Sequence, residues 1–324
     1  MREITYRQAM IEGFATAMRK DPTTFIVGEG IGPRGGCFVH TKGLYEEFGP
    51  ERVLDTPISE GGFVGLCAGA AACGSRAIAD LMFIDFATLA MDQILNQAAK
   101  MTYLSNGELR MPLTINAIFG IGGSGATHHS QSLHPWFMYI PGVRVVMPST
   151  PYDLKGLLAS AILDDNLAIV LPHRLLLNVR GDVPAEDYLL PLGQAKVVRE
   201  GKDLTIVAAG LMVAEALAAA QTLAAENVQA EVIDLRTLMP LDEDCICRSV
   251  VKTGRLLVVD EGYAPCGVGA EVTAIVQSKV FDYLDAPIER LHTASVPIPY
   301  SPPEERFIRP DAERIVRLAR SITA

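Results

Sequence analysis

The sequence predicts an α/β protein of two domains, each built on a mostly parallel sheet. Three observations predict it. Short runs that are apolar on both faces recur along the chain, as buried parallel strands require. Longer helical patterns alternate with them, which layers helices over sheets. The 324 residues are enough for about two domains with cores of their own, and the alternation lapses over residues 174–200.

The first set of strands is "TFIVG" at 24–28, "RAIADLM" at 76–82, "PLTINAIF" at 112–119, "VRVVMP" at 143–148 and "LAIVLP" at 167–172. A second set is "LTIVAAG" at 204–210, "VQAEVIDL" at 228–235 and "RLLVVDEG" at 255–262. Helices are expected near 5–20, 61–74, 86–104, 151–164, 212–225, 241–251 and 268–280. The stretch "RLLLNVRGDVPAEDYLLPLGQAKVVRE" at 174–200 holds two prolines, two glycines and mixed charge, the composition of an interdomain connection. The expected division is a domain over 1–180, a linker over 181–197 and a smaller domain over 198–324. The tail "VPIPYSPPEERFIRPDAERI" is proline-rich and then closes with a helix. No period of 20–50 residues marks a repeat architecture.

Composition narrows the function. Hydrophobic residues make up 49% and charged ones 20%, as in an ordinary soluble domain protein. The formal net charge of −10 argues against nucleic-acid or anionic-membrane partners, which need a basic face. The longest apolar run, "FVGLCAGAAACG" at 63–74, is too short to span a bilayer. The opening "MREITYRQAMIEGF" lacks the apolar core of a signal peptide. Cysteines stand at 37, 67, 73, 245, 247 and 266 with no C-x-x-C pair, so neither a zinc frame nor a disulfide scaffold is indicated. A reducing, cytoplasmic setting is expected.

In parallel sheets ligands sit beyond the carboxyl ends of strands, so the loops there carry the chemistry. They include "GEGIG" at 28–32, "TPISEGG" at 56–62, "FIDF" at 83–86 and "GSGATHHSQSLHPWF" at 123–137. "GIGGSG" at 120–125 matches the dinucleotide pattern, but no acidic residue lies about twenty positions on and no amphipathic helix follows. His128, His129 and His134 lack the i, i+4 spacing of a helical zinc pair, which leaves a structural role or proton transfer by one of them. Glu60 opens a small-residue helix. It is either a partner of the helix dipole or a buried carboxyl held toward protonation for acid–base work. Met82, Phe83 and Phe86 read as core or as an apolar wall for a heteroaromatic ring.

Several motifs stand together in one order: "RVLDTPISE", "LMFIDF", "MDQILNQAAK", "HHSQS", "VVMPSTPYDLKGLL", "AILDDN" and "VPIPYSPP". In these the chain resembles, end to end, the beta subunits of thiamine-diphosphate-dependent first components of 2-oxo acid and acetoin dehydrogenase complexes. The resemblance implies a transketolase-like fold: a pyrimidine-binding domain followed by a transketolase C-terminal-type domain. It also implies a half site. In this family an alpha subunit grips the diphosphate and a magnesium ion, while the beta subunit covers the aminopyrimidine. The chain fits that division, because no "GDG…N" diphosphate signature occurs in it.

The resemblance makes Glu60 the carboxyl that hydrogen-bonds the pyrimidine ring nitrogen, with Ile58, Met82 and Phe86 lining the ring. Protein groups of this kind orient a cofactor and control protons, while the cofactor supplies the carbanion chemistry. His129 matches the family's active-site histidine, expected to act in acyl transfer to a lipoyl arm. Relatives carry Gln before it, where this chain has His128. "AILDDN" resembles a potassium loop, with the backbone carbonyls of Leu113, Ala161, Ile162, Asp164 and Asn166 as ligands. The implied partners are an alpha subunit in an α2β2 heterotetramer, a dihydrolipoyl acyltransferase core and a small-molecule substrate. "LMFIDF" and "GDVPAEDYLLPLGQAKVVREG" lean toward acetoin. Pyruvate and branched-chain 2-oxo acids are the alternatives, and a non-catalytic assembly subunit of the same fold is the alternative of another class. Retention of Glu60, Met82, Phe86 and His129 speaks against the last.

Overall fold

The computed structural model describes residues 1–323. The chain forms two compact units. One takes Met1–Phe119 and Trp136–Leu192, and the other takes Gly120–Pro135 and the chain from Gly193 onward.

The first unit runs through β1 (Arg2–Thr5), α1 (Tyr6–Lys20), β2 (Phe25–Gly28), α2 (Leu44–Phe48), β3 (Val53–Asp55), α3 (Glu60–Ala72) and β4 (Ala77–Phe83). It continues through α4 (Ala99–Leu104) and β5 (Leu113–Ile118), and after the crossing helix α5 (His134–Met138) through β6 (Arg144–Val146), α6 (Pro151–Leu163), β7 (Ala168–Val170) and β8 (Arg180–Val183). Its parallel strands lie in the order β6-β7-β5-β4-β2-β3. All six residues of β5 are buried, as the two-faced apolar run requires. Helix α1 starts where Thr5 accepts a hydrogen bond from the Gln8 N–H at 3.1 Å, a side-chain cap. Its buried face includes Tyr6, Met10, Phe14 and Met18 and packs on α6. Helix α6 combines a Thr150 cap with proline at its first position, where a missing N–H costs nothing. β1 pairs antiparallel with β8.

One expected helix comes out differently. Residues 86–104 do not form a single α-helix. A 3-10 segment at Ile84–Ala90 passes into a π turn at Gln93–Ala98 and only then into α4. The overwound and underwound stretches follow the glycine face of α3, where a Cβ on Gly61 would stand 3.1 Å from the Leu89 carbonyl oxygen. Amphipathic spacing alone does not carry that close approach, and π turns collect at functional sites.

The second unit contains β9 (Lys196–Arg199), β10 (Leu204–Ala208), α7 (Leu211–Ala225), β11 (Ala230–Asp234), β12 (Thr237–Met239), α8 (Glu243–Thr253) and β13 (Leu256–Tyr263). It closes with α9 (Val268–Val280), β14 (Glu289–Thr293), α10 (Pro302–Ile308) and α11 (Ala312–Thr323). Its sheet is ordered β14-β13-β10-β11-β9, parallel except for the antiparallel edge strand β9. The core joins Leu204 and Ile206 of β10 with Ala216, Ala220 and Leu223 of α7 and Ile315, Ala319 and Ile322 of α11. Small residues on α7 let it lie close to the sheet. All but the first residue of β8 and the first two residues of β9 lie within the 181–197 stretch.

Candidate active site

Neighbouring strands β4, β2 and β3 bring four side chains to one edge of the first unit's sheet. Glu29 follows β2 directly. The turn after β3 leads into Glu60, the first residue of α3. β4 runs out through Met82 into the segment that carries Phe86. This is the carboxyl edge, where parallel sheets bind ligands.

Glu60 is 6% exposed in the first turn of α3, where the helix dipole favours a negative charge. Beside it, burial pushes the Glu29 carboxyl above its ordinary range, and the charges of Glu60 and Asp80 push the same way. The Ser59 N–H donates to Glu29 and opposes the rise. The Glu29 Oε1 atom is buried and has no hydrogen-bond partner among the described residues. Two carboxyls thus lie near enough to repel one another, and one of them, Glu29, is held toward its neutral form.

Met82 owes its position to a buried network. The β4–β5 ladder shifts between Asp80 and Phe83, and Met82 sits in the shift with φ +61°. A side chain seldom adopts that region, and such strain collects at functional sites. The Met82 N–H donates to Asp80 Oδ1 at 3.3 Å. Asp80 Oδ2 pairs with His40 Nε2 and accepts from Asn116 Nδ2, both at 2.8 Å. Burial raises the Asp80 pKa, but the His40 attraction and these hydrogen bonds outweigh it, so the carboxyl stays below its usual range. Next along the chain, Phe83 meets Phe86 edge-on at 5.8 Å and Phe38 at 5.1 Å.

The expected residues distribute as follows. Ile58, Glu60, Met82 and Phe86 all belong to the first unit. Ile58 is 82% exposed, and Met82 and Phe86 are half-buried. His129 belongs to the second unit and is exposed, as is His128. His134, third of the cluster, is fully buried. Leu113, Ala161 and Ile162 are buried, and Asp164 and Asn166 half-buried. The Ile162 and Asp164 carbonyls accept from Arg76 Nη1 at 2.9 and 2.7 Å. The Ala161 carbonyl accepts from Thr114 Oγ1 at 3.2 Å. Sequence reasoning missed Glu29, His40, Asp80 and Arg76. Glu29 stood in a flagged loop, but nothing local marked its carboxyl as buried. Among the described residues no group of three or more His, Cys, Asp or Glu is arranged to hold a metal ion, and no helix is long and apolar enough to cross a membrane.

Fold and site define a two-domain α/β protein of the transketolase type. Residues 2–179 match the family described as "Transketolase, pyrimidine binding domain", and residues 193–315 match "Transketolase, C-terminal domain". The chain is similar to the acetoin:2,6-dichlorophenolindophenol oxidoreductase subunit beta of Cupriavidus necator, with 46% identity over 98% of this chain and 97% of that one. It is 42% identical to the pyruvate dehydrogenase E1 component subunit beta of Rickettsia bellii, over 99% and 98%. A solved structure titled "Split gene transketolase, inactive beta4 tetramer" has the same fold, with a TM-score of 0.80 at 22% identity over 99% and 98% of the two chains. The chain belongs to the family of E1 beta subunits of acetoin and 2-oxo acid dehydrogenases, a thiamine-diphosphate-dependent family.

Proposed function

We propose that this chain is the beta half of an α2β2 component that cleaves acetoin and passes the acyl group to lipoamide on a dihydrolipoyl acyltransferase core. Pyruvate and branched-chain 2-oxo acids are the alternative substrates. The observation that carries the reading is the pair of neighbouring carboxyls, Glu60 and Glu29, at the carboxyl edge of β2 and β3, the edge at which β4 runs out through Met82 toward Phe86. The unpartnered, buried Glu29 Oε1 is an acceptor waiting for a donor, and an aminopyrimidine supplies donors. The residues present therefore fit that ring of thiamine diphosphate. When bound, the cofactor would supply the carbanion chemistry that carbon–carbon cleavage needs.

Glu60 would hold a hydrogen bond to the ring nitrogen. Its burial and its place at a helix N-terminus keep that hydrogen bond out of competition with water. Met82 and Phe86 wall the ring and exclude solvent. His129 acts in acyl transfer to the lipoyl arm. The diphosphate and magnesium would be held by the alpha subunit, in keeping with the absence of a "GDG…N" signature from this sequence. The carbonyls of Leu113, Ala161, Ile162, Asp164 and Asn166 would hold potassium, with those of Ile162 and Asp164 shared with Arg76 and that of Ala161 shared with Thr114. Six free cysteines suit a cytoplasmic setting.

The test is reconstitution with the alpha partner and a dye-coupled assay on acetoin, pyruvate and branched-chain 2-oxo acids. Glu60→Ala is expected to fold normally and to lose nearly all turnover. Near-normal activity in that variant, or thiamine-dependent turnover by this chain alone, sinks the reading.

A further inference from the structure

The loop that carries His128 and His129 is tied at both ends to two adjacent carboxylates on β13. At its far end the buried His134 places Nε2 2.8 Å from Asp260 Oδ1. At its near end the Ile121 N–H donates to Glu261 Oε1 at 2.6 Å, and from the far end the Ser132 hydroxyl donates to the same oxygen at 2.9 Å. Asp260 and Glu261 are 5% and 3% exposed. Successive strand residues normally face opposite sides of a sheet. Here the β13–β14 ladder shifts between Asp260 and Tyr263, the alternation breaks, and both carboxylates serve one loop.

The surroundings are built for this arrangement. A Cβ on Gly262 would stand 2.9 Å from Asp260 Oδ2 and 3.1 Å from His134 Cε1, so any larger side chain there would have to displace the pair. His292 Nδ1 lies 3.2 Å from the Gly262 carbonyl oxygen and 3.6 Å from Asp260 Oδ2. The middle of the loop is tied as well: the Ser124 N–H donates to Glu305 Oε1 at 3.0 Å, and Thr127 Oγ1 to the Ile298 carbonyl at 3.2 Å. The backbone needs such ties. Gly120, Gly122, Gly123, Ser124 and Ala126 all have positive φ, and two of these are not glycine. Strain of that kind persists only where surrounding contacts overdetermine it. A buried carboxylate–imidazole pair is also a poor way to gain stability, because apolar residues of similar size do as well. What it supplies is a fixed register.

We propose that Asp260 and Glu261 are positioning residues, which set the presentation of His129 through His134, Ile121 and Ser132. The inference rests on the acyl-transfer role assigned above to His129. The carboxylates do not touch the reacting atoms. They hold the segment between Thr127 and Ser130 in one place while its two imidazoles stand exposed.

The experiment uses the full chain reconstituted with its alpha partner. Asp260→Asn, Glu261→Gln and His134→Gln are compared in two assays, dye-coupled substrate cleavage and reductive acylation of a lipoyl domain. Amide hydrogen exchange is followed over residues 120–135. Expected are a tenfold or greater loss in kcat for acylation, dye-coupled turnover within twofold of the parent, and at least tenfold faster exchange in the loop with β10 and β11 unchanged. Unchanged loop exchange overturns the proposal, and so do equal losses in both assays. If Asp260→Asn does not fold, Ser132→Ala removes a single hydrogen bond and is read by the same exchange measurement. A parent tetramer that cannot acylate a lipoyl domain refutes the role of His129, while loop exchange in the variants still decides the clamp.

Discussion

Asp80→Ala isolates the network behind the bulge of β4. Asp80 is 3% exposed and pairs with His40 Nε2 and Asn116 Nδ2 at 2.8 Å each. His40 and Asn116 are each 1% exposed, so water does not replace the lost acceptor. Two buried polar groups left unsatisfied cost about 1–3 kcal/mol each. Removing the carboxylate also removes its own desolvation penalty, which offsets part of this and leaves a net loss of about 3 kcal/mol. For a unit of this size that corresponds to a fall in Tm of roughly 6–12 °C, read by differential scanning fluorimetry at neutral pH. Turnover of the reconstituted tetramer is expected to fall further than the unfolded fraction explains, because Met82 loses the acceptor for its N–H. A Tm shift below about 2 °C would refute the view that this carboxylate organises the bulge.

Four further outcomes are expected. Asp80 and Asp260 both have depressed pKa values in the fold, so their contribution is complete at neutral pH and is lost as pH falls below about 4. Equilibrium unfolding across pH 3–7 checks this, and a variant lacking Asp80 is expected to show a shallower acid limb. Glu29 has the opposite sign: its pKa is raised, so the fold is penalised as pH rises through that value. Glu29→Gln is therefore expected to raise Tm at neutral pH, and the gain should vanish in acid while activity drops. Met82→Gly relieves the positive φ, worth about 1 kcal/mol, but deletes a wall of the pocket. Its Tm should stay within about 2 °C of the parent while thiamine diphosphate binding in the tetramer weakens, and a large drop in Tm would show that the side chain is core and not site. Finally, a potassium ion held by the 161–166 loop predicts a higher Tm in KCl than in NaCl or choline chloride at equal ionic strength, whereas equal values leave Arg76 as that loop's cation.

Much of the layer order was legible in the sequence, because buried parallel strands betray themselves as short two-faced apolar runs. β5 and β10 lie close to where those runs stand. Edge elements were not legible. β1, β8 and β9 are short and partly exposed, so no apolar period marks them. The irregular path from Ile84 to Ala98 was hidden for another reason: its pattern is amphipathic, and only the close approach of the glycine face of α3 dictates its changing pitch.

The site divided along the same line. Ordered motifs pointed to Glu60, Met82, Phe86 and His129, since each sits in a segment whose local composition is distinctive. Glu29, His40 and Asp80 come from three separate stretches, and what makes them matter is mutual distance and burial. His134 shows the division most plainly. By itself the sequence determined that three histidines crowd one glycine-rich loop and that apolar runs alternate into two α/β domains. Only the tertiary structure decided that His134 is buried against Asp260, 126 residues away, and that His128 and His129 are left exposed. Local pattern reports what a segment can become, whereas charge pairing and desolvation depend on which distant groups the fold brings within about 3 Å.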